Sequence, residues 1–307
     1  MIVVTGGAGF IGANLVEYLL SSSRYEGEKI LVVDNLSAGS LDNLPKDPRV
    51  SFAKLDINSP LLVKKLEGAK TVFHFAADPS VADSIEPKKS FDENVNGSFN
   101  VLEACRKNNV KQFVFASTST VYGEALVRPT PETYPCEPIS NYGASKLACE
   151  AYVSSFAHSY GIKSTILRYA NIFGPLSNHG VMPDFASKLK ENPRELSILG
   201  DGKQNKSYLY ISDCISGTLT ACEKQTKICD FYNVGSESSD TVDTIAKYVS
   251  ESMGVSPKFV HSGGDRGWKG DVPLMLLDIT KLKKLGWKPK VSLKEGVRSY
   301  VNWLSSK

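Results

Sequence analysis

The sequence begins with MIVVTGGAGFIG (residues 1–12), a short apolar run that leads directly into closely spaced glycines. Ile2, Val3 and Val4 predict a buried strand, and apolar residues recur at helical spacing between positions 11 and 20. Gly6, Gly9 and Gly12 therefore lie in the turn between a strand and a helix. Glycine suits this turn because it adopts positive φ and lets a pyrophosphate approach the backbone, while the helix N-terminus attracts anions. The segment predicts a dinucleotide-binding site.

The next apolar run, residues 30–33, ends in Asp34. An acidic residue at this point, about 20 residues beyond the glycines, binds the hydroxyls of an adenosine ribose in dinucleotide-binding folds. Because its negative charge would repel a 2′-phosphate, Asp34 favours NAD over NADP. The same glycine spacing recurs at Gly264, Gly267 and Gly270, where no amphipathic helix follows. The glycine spacing is therefore informative only in its strand and helix context.

The composition is that of a large globular chain. It has 307 residues, of which 41% are hydrophobic, with 36 basic and 33 acidic side chains. The charge is nearly balanced and shows no basic stripe, so nucleic acid is not an expected partner. No apolar run reaches the length of a membrane span, and no signal peptide precedes the first strand, so we expect a cytoplasmic location. The cysteines form no C-x-x-C pair and the histidines are scattered, so we expect free thiols and no metal site.

Strands and helices alternate regularly from residue 1 to about Arg168, and the regularity fails beyond Asn171. This pattern predicts an α/β fold with a doubly wound parallel sheet, the Rossmann fold, followed by a smaller C-terminal α+β domain. We expect residues 1–170, completed by about 207–234, to bind NAD. Residues 171–206 and 235–307 are expected to form the substrate-binding domain, packed against the first across a cleft.

Other strand ends supply candidate cofactor contacts, because ligands of parallel sheets bind at the carboxyl edge. The polar loop after the second strand is expected to surround the ribose, and the end of the third strand is expected to border the adenine. Small residues after the fourth strand allow the nicotinamide half to lie against the backbone. These candidates are Asn35, Ser37, Asp56, Ile57, Phe75, Ala76 and Ala77.

Two polar residues in this half of the chain are open to more than one interpretation. Asn94, in a predicted helix over about 88–108, either ties that helix to a strand or contacts the cofactor site. His74 lies within an apolar strand. A histidine in that position is expected to be a hydrogen-bonded core residue and not a catalytic one.

A candidate catalytic group follows the fifth strand. This strand ends in hydroxyl residues that include Thr118, and Tyr142 and Lys146 lie four residues apart on one face of a later helix. If the three side chains meet beside a nicotinamide, the lysine ammonium and the positively charged ring lower the pKa of the phenol. Tyr142 then serves as a base while Thr118 donates a hydrogen bond to the substrate oxygen. The same Y-x-x-x-K spacing at Tyr25 and Lys29 has no such context.

Taken together, the motifs resemble the extended short-chain dehydrogenase/reductase family, and within it most nearly the UDP-glucose 4-epimerases. The motifs are TGGAGFIG (5–12), DNLS (34–37), HFAA (74–77), STSTVYG (117–123), YGASK (142–146) and RYANIFGP (168–175). The resemblance implies a tightly bound NAD that is reduced and reoxidised within one turnover. It also implies a UDP-hexose whose C4 hydroxyl is oxidised, a rotating 4-keto sugar, and a homodimer formed through helices near 88–108 and 142–160.

The resemblance also assigns residues by position. Lys206 stands where many relatives have a diphosphate-binding arginine, and Trp268 where many have another, with Arg266 two residues earlier. Substrate contacts are therefore expected at Thr118, Asn171, Lys206, Arg266 and Asp271. The cofactor contacts that the resemblance implies or supports are Gly6, Gly9, Phe10, Ile11, Gly12, Asp34, Asn35, Asp56, Ile57, Ala76, Asn94, Tyr142, Lys146 and Tyr169.

Several alternatives to an epimerase share these motifs. Related dehydratases and decarboxylases carry a glutamate two residues after the catalytic threonine, where this chain has Thr120. A net reductase stays open. A non-catalytic NAD-binding module usually lacks the tyrosine or the lysine, and this chain retains both. The base (uracil or thymine) and the sugar (plain, N-acetylated or acidic) also stay open.

Overall fold

The computed structural model describes residues 1–78, 87–267 and 270–306. Seven parallel strands form the central sheet in the order β11-β6-β5-β4-β1-β2-β3. The strand order reverses between β1 and β4, so the carboxyl ends of these two strands border a crevice. The predicted doubly wound parallel sheet is confirmed. The strands are β1 Ile2–Thr5, β2 Ile30–Asp34, β3 Val50–Lys54, β4 Thr71–His74, β5 Gln112–Thr118, β6 Lys163–Tyr169, β7 Asn171–Phe173, β8 Glu195–Ile198, β9 Asn205–Lys206, β10 Tyr208–Tyr210, β11 Cys229–Val234, β12 Asp240–Thr241, β13 Lys258–His261 and β14 Leu274–Met275.

Helices cover both faces of this sheet and form the C-terminal part. They are α1 Phe10–Ser21, α2 Leu62–Lys65, α3 Pro87–Ser90, α4 Gly97–Lys107, α5 Asn141–Tyr160, α6 Val181–Glu191, α7 Ile211–Lys224, α8 Val242–Met253, α9 Thr280–Lys284 and α10 Leu293–Ser305. The single helix expected over 88–108 consists instead of α3, a π-helical segment Phe91–Asn96 and α4. The π-helical segment changes the direction in which Asn94 projects, since its turns are wider than those of an α-helix.

The strands of the central sheet are apolar along their length because alternate side chains pack into two different core clusters. On β1, Val4 packs into a core cluster with α1 and α7, whereas Val3 packs into a second cluster with α4 and α5. Successive side chains of a strand point to opposite faces, and here both faces are covered by helices. A third cluster joins α6, α8 and α10 around Phe185, Val249 and Tyr300.

The remaining strands form small sheets in the C-terminal part. They pair as β10-β7, β12-β9-β14 and β13-β8. This irregular pairing places β9 and the chain around residue 271 opposite the carboxyl edge of the central sheet, where both border the same cavity. Within the part of the chain that the structure describes, no helix is long and apolar enough to cross a membrane.

Candidate active site

A cavity of about 1120 Å³ lies at the carboxyl edge of the central sheet. Most predicted site residues line it. Among the described residues, Asn94 and Arg266 are the two predicted ones that do not border this cavity. The predicted residues that do are Gly6, Gly9, Phe10, Ile11, Gly12, Asp34, Asn35, Ser37, Asp56, Ile57, Phe75, Ala76, Ala77, Thr118, Tyr142, Lys146, Tyr169, Asn171, Lys206 and Asp271.

The glycine turn forms one wall of the cavity and fits a pyrophosphate. Gly6 has φ +67°, and a Cβ on Gly12 would lie 2.3 Å from the carbonyl oxygen of Gly6. Glycine at both positions keeps α1 close to β1 and leaves the turn open. Gly9 is the N-cap of α1 and provides no side-chain cap, so the first N–H groups of the helix remain available to an anion.

Asp34 lies beside this turn with its carboxylate fixed by two backbone groups. The amide of Ala8 donates to Oδ2 at 3.0 Å, and the amide of Leu36 donates to Oδ1 at 2.8 Å. Asp34 is 8% exposed. Each carboxylate oxygen can accept more than one hydrogen bond, so both retain capacity for the hydroxyls of a ribose.

The three predicted catalytic residues come together in the same cavity. Tyr142 and Lys146 project from the first turns of α5, whose N-cap Ser140 accepts a hydrogen bond from the Gly143 amide. Lys146 is buried, and its Nζ donates to the carbonyl of Ala116 at 3.0 Å. The Nζ atom lies 6.0 Å from the centroid of the Tyr142 ring. Thr118, at the end of β5, lies near enough to the Tyr142 phenol to lower its pKa.

Burial is the main influence on the electrostatics of this group. Burial is the largest effect on Tyr142 and raises its pKa to about 12, while Thr118 opposes the rise. Burial also lowers the pKa of Lys146 to about 8, with Cys149 and Glu150 opposing. The lowering expected from the lysine ammonium together with a positively charged nicotinamide applies to the cofactor-bound state, and in the protein alone desolvation is the larger effect on the phenol.

Asn94 has a structural role. Its Oδ1 accepts from the amide of Asp78 at 2.8 Å, and its Nδ2 donates to the hydroxyl of Ser145 at 3.0 Å. The side chain therefore ties the segment after β4 to α5, next to Lys146. This is one of the two roles expected from the sequence.

His74 is a core residue, as predicted. Its ring nitrogens lie 2.6 Å from the Thr5 hydroxyl and 2.9 Å from the Ser98 hydroxyl. Burial lowers its pKa to about 3, so the imidazole is neutral at physiological pH. Both ring nitrogens have a partner in the core, and the residue is not available as a base.

The two candidate diphosphate-binding cations occupy different positions. Lys206 borders the cavity, and its Nζ lies 2.5 Å from Oδ1 of the buried Asp271. Arg266 forms an ion pair with Glu124 at 2.6 Å and donates to the carbonyl of Asp271 at 3.1 Å. Of these two candidates, Lys206 is the one that borders the cavity. Trp268 lies outside the described residues.

The far end of the cavity is formed by residues that sequence reasoning missed. They come from α6 and the loop before it, from β10 and from α10, and include Asn178, His179, Phe185, Tyr208, Tyr300 and Trp303. Aromatic and apolar side chains next to a lysine form the kind of surface that a nucleobase and its diphosphate require. In the sequence, the polar residues directly after the RYANIFGP motif were the one indication of this end of the cavity. Nothing in the sequence marked the aromatic residues of α10 as part of it.

The fold and the site define a dinucleotide-binding α/β enzyme with a threonine–tyrosine–lysine group beside the cofactor cleft. The model of the NAD dependent epimerase/dehydratase family matches residues 2–235. The chain is 35% identical to a putative UDP-glucose 4-epimerase of Methanocaldococcus jannaschii over 314 residues, which covers 100% of this chain and 99% of the relative. The chain therefore belongs to the NAD dependent epimerase/dehydratase family, its cofactor is NAD, and the resemblance to extended short-chain dehydrogenases/reductases is confirmed.

Solved structures agree with this assignment. The crystal structure of the Thermotoga maritima UDP-glucose 4-epimerase with UDP-glucose has a TM-score of 0.91 at 38% identity, covering 99% of this chain and 98% of that one. A dTDP-glucose 4,6-dehydratase double mutant of Streptomyces venezuelae, solved with NAD, has a TM-score of 0.92 at 28% identity, covering 100% and 97%. The structural likeness therefore extends to more than one reaction type.

Proposed function

We propose that the chain is a nucleotide-sugar 4-epimerase that interconverts UDP-glucose and UDP-galactose, or their N-acetyl forms, through a transient 4-keto sugar. The observation that carries the proposal is the meeting of Thr118, Tyr142 and Lys146 in the cavity, with a hydroxyl residue beside Thr118. Thr120 donates from its backbone amide and its hydroxyl to the Thr118 hydroxyl at 3.2 and 3.1 Å. This position therefore has no carboxylate for elimination or for loss of carbon dioxide.

Each catalytic residue has a defined task in this proposal. Tyr142 removes the proton of the sugar C4 hydroxyl, and Thr118 donates a hydrogen bond to the same oxygen as it becomes a carbonyl. NAD, held by the glycine turn and Asp34, would supply the acceptor and later the donor of the C4 hydride. Lys146 holds a positive charge one helical turn from the phenol, which favours phenolate. After the keto sugar rotates, Tyr142 gives the proton back to the oxygen, so the phenol ends the cycle as it began.

The proposal divides the chain by ligand. Residues 1–170, completed by about 207–234, bind NAD, and residues 171–206 and 235–307 bind the nucleotide sugar. Asn171, Lys206 and Asp271 contact the substrate, and Lys206 exchanges its carboxylate partner for the diphosphate. Lysine binds phosphate as a point charge and not as a planar fork. Arg266 reaches the diphosphate only when it leaves Glu124, so that contact stays a prediction.

A dehydratase is the nearest rival. Asp78 is a carboxylate whose charge raises the pKa of Tyr142, so it lies within electrostatic reach of the phenol. Its carboxylate is 3.2 Å from the ammonium of Lys89. This carboxylate therefore already has a cationic partner. This pairing favours return of the hydride without elimination.

One experiment separates the candidate functions. The purified protein is incubated with UDP-glucose, UDP-galactose or UDP-N-acetylglucosamine without added cofactor, and the products are analysed by mass spectrometry and NMR. Interconversion of sugars at constant mass supports the epimerase. Loss of water or carbon dioxide from any nucleotide sugar, including dTDP-glucose and UDP-glucuronic acid, supports a dehydratase or decarboxylase, and inertness supports a binding module.

Asp34→Ala should weaken NAD binding by roughly 10- to 100-fold, because it removes a charged acceptor of the ribose hydroxyls. It should also raise the relative affinity for NADP, since the negative charge that repels a 2′-phosphate is gone. Both dissociation constants are measured by titration of cofactor-free protein. Asp42→Ala, an exposed acid close by in the chain, is the control and should leave both unchanged. If Asp34→Ala keeps its preference for NAD, another residue recognises the ribose.

We also propose a homodimer that works in the cytoplasm, where the six free cysteines would stay reduced. Phe99 of α4 and Tyr152 of α5 are 37% and 44% exposed and lie in edge contact at 5.4 Å. An exposed aromatic face on two adjacent helices suits a self-complementary interface. Phe99→Asp with Tyr152→Asp should therefore give a monomer in analytical ultracentrifugation. Tyr18→Asp, at an exposed position of α1, is the control, and a dimer that persists in the double variant would place the interface elsewhere.

A further inference from the structure

A buried ion pair lies outside the cavity, between α5 and the central sheet. Arg168 binds Glu150 in a bidentate manner, Nε to Oε1 at 2.9 Å and Nη2 to Oε2 at 2.7 Å. Their side chains are 6% and 2% exposed. Burying two charges costs several kcal/mol, and such a pair is weak evidence of a contribution to stability. The contacts that this ion pair makes with neighbouring residues therefore indicate a role other than stability.

One set of contacts leads to the catalytic end of α5. The hydroxyl of Ser117 donates to Oε1 of Glu150 at 2.5 Å, and Ser117 directly precedes Thr118. The ammonium of Lys146 donates to the carbonyl of Ala116, the residue before Ser117. Two successive residues of β5 thus hold α5 beside Thr118. Glu150 lies one helical turn beyond Lys146 and about two turns beyond Tyr142.

A second set of contacts leads to the turn after Thr118. Nη1 of Arg168 donates to the phenol oxygen of Tyr122 at 2.9 Å, and this phenol donates to Oδ1 of Asn233 at 2.8 Å. Tyr122 closes the short helical turn that begins directly after Thr118. Arg168 also precedes Tyr169, which borders the cavity. The ion pair therefore connects β5, β6, β11 and α5 directly behind the candidate catalytic group.

We propose that the Glu150–Arg168 pair is a positioning element that holds Thr118, Tyr142 and Lys146 in their relative places. This rests on the proposed 4-epimerase function for its kinetic consequences. The ion pair acts through other residues, since neither member borders the cavity among the described residues.

The negative charge of Glu150 changes the pKa of Lys146 in a definite direction. Glu150 raises the pKa of Lys146, which burial lowers to about 8. Removing the carboxylate should therefore lower this pKa further, so that the ammonium is lost at a lower pH. The groups that face Lys146 are Tyr142, Cys149 and Glu150 from its own helix, the Phe115 ring and the Ala116 carbonyl from β5, and His74 from β4. Burial keeps His74 and the thiol of Cys149 neutral, so Glu150 supplies the negative charge.

The test uses Glu150→Gln, which keeps the shape and removes the charge. We expect kcat to fall roughly 10- to 100-fold with KM changed less than about 3-fold, because small misplacements of catalytic groups have effects of this size. The alkaline limb of the kcat profile should move down by about one pH unit. Ser117→Ala, a milder variant, should lower kcat without moving this limb. The control is Asp230→Asn. It breaks the 2.6 Å ion pair between Asp230, on β11, and Lys281, on α9, and neither residue borders the cavity.

A second readout does not depend on turnover. In protein labelled at tyrosine Cζ, the NMR resonance of Tyr142, assigned by its loss in Tyr142→Phe, should shift in Glu150→Gln and Ser117→Ala but not in Asp230→Asn. If Glu150→Gln does not fold, the double variant Glu150→Met with Arg168→Met removes both charges while keeping the volume, and it should show the loss of kcat. Folded variants with unchanged kcat, pH profile and Tyr142 resonance would overturn the proposal. A wild-type protein inert towards nucleotide sugars would instead contradict the proposed function, and the NMR comparison would still test positioning.

Discussion

Tyr142→Phe is expected to lose nearly all epimerase activity, with kcat lower by roughly 10²- to 10⁴-fold, while the purified protein still contains NAD. The substitution removes only the phenol oxygen, which the proposal makes the proton acceptor and donor. The ring remains and keeps its place near the ammonium of Lys146. Binding of the cofactor should persist, since the substitution leaves the glycine turn and Asp34 unchanged. Turnover is measured with UDP-galactose, and bound NAD is measured after denaturing the protein.

The matched control for this prediction is Tyr18→Phe. Tyr18 lies on α1, and its side chain is exposed. It should keep full activity, NAD content and melting temperature. An active Tyr142→Phe protein would reject the assignment of the base. A Tyr142→Phe protein without NAD would instead mean that the phenol has a major part in cofactor binding.

Gly12→Ala is the second substitution with a large expected effect. The added Cβ would lie 2.3 Å from the Gly6 oxygen and 2.6 Å from the Gly7 Cα, both backbone atoms that cannot turn away. Helix α1 must therefore move away from the glycine turn, which separates the N–H groups that bind the pyrophosphate. We expect NAD affinity to fall at least about 100-fold, and stability to fall by about 1–3 kcal/mol, as in other overpacked sites. Cofactor titration and chemical unfolding of the cofactor-free protein measure the two effects.

Gly27→Ala is the control for a glycine substitution as such. Gly27 has φ +76°, and a Cβ added there would meet no heavy atom within 4 Å, so the only cost is backbone strain of about 1 kcal/mol. This variant should bind NAD normally. If Gly12→Ala also binds NAD with the wild-type affinity, close packing of α1 on the turn is not required for the cofactor.

The local motifs could be predicted because their physical causes are local. The run at residues 2–4 and the glycines after it specify a strand, a tight turn and a helix through burial and allowed φ values. The spacing of Tyr142 and Lys146 places both on one helical face for the same reason. Caps also lie within a few residues of the ends that they satisfy, as Thr241 and Gly254 do for α8. Fold class, cofactor and the catalytic candidates follow from such short-range rules.

Properties that depend on distant groups required the tertiary structure. Arg266 pairs with Glu124, which is 142 residues away in the chain, and this contact turns it from the cavity. The aromatic end of the cavity joins residues of β10 and α10, which no spacing rule relates. The width of the cavity and its lining depend on how the small C-terminal sheets pack against the central one. Long-range packing sets these features, and sequence spacing carries no information about it.

The sequence by itself therefore predicted the alternation of strands and helices up to about Arg168, the dinucleotide site and the candidate catalytic side chains, because residue type and short-range spacing control them. The tertiary structure alone decided the ionisation of these side chains and the contacts that hold them in place. Burial, and not the neighbouring lysine, dominates the pKa of Tyr142. The Glu150–Arg168 pair lies behind the catalytic group through contacts from β5, β6, β11 and α5. Desolvation and charge pairing depend on what surrounds a group in space, which only the packed chain defines.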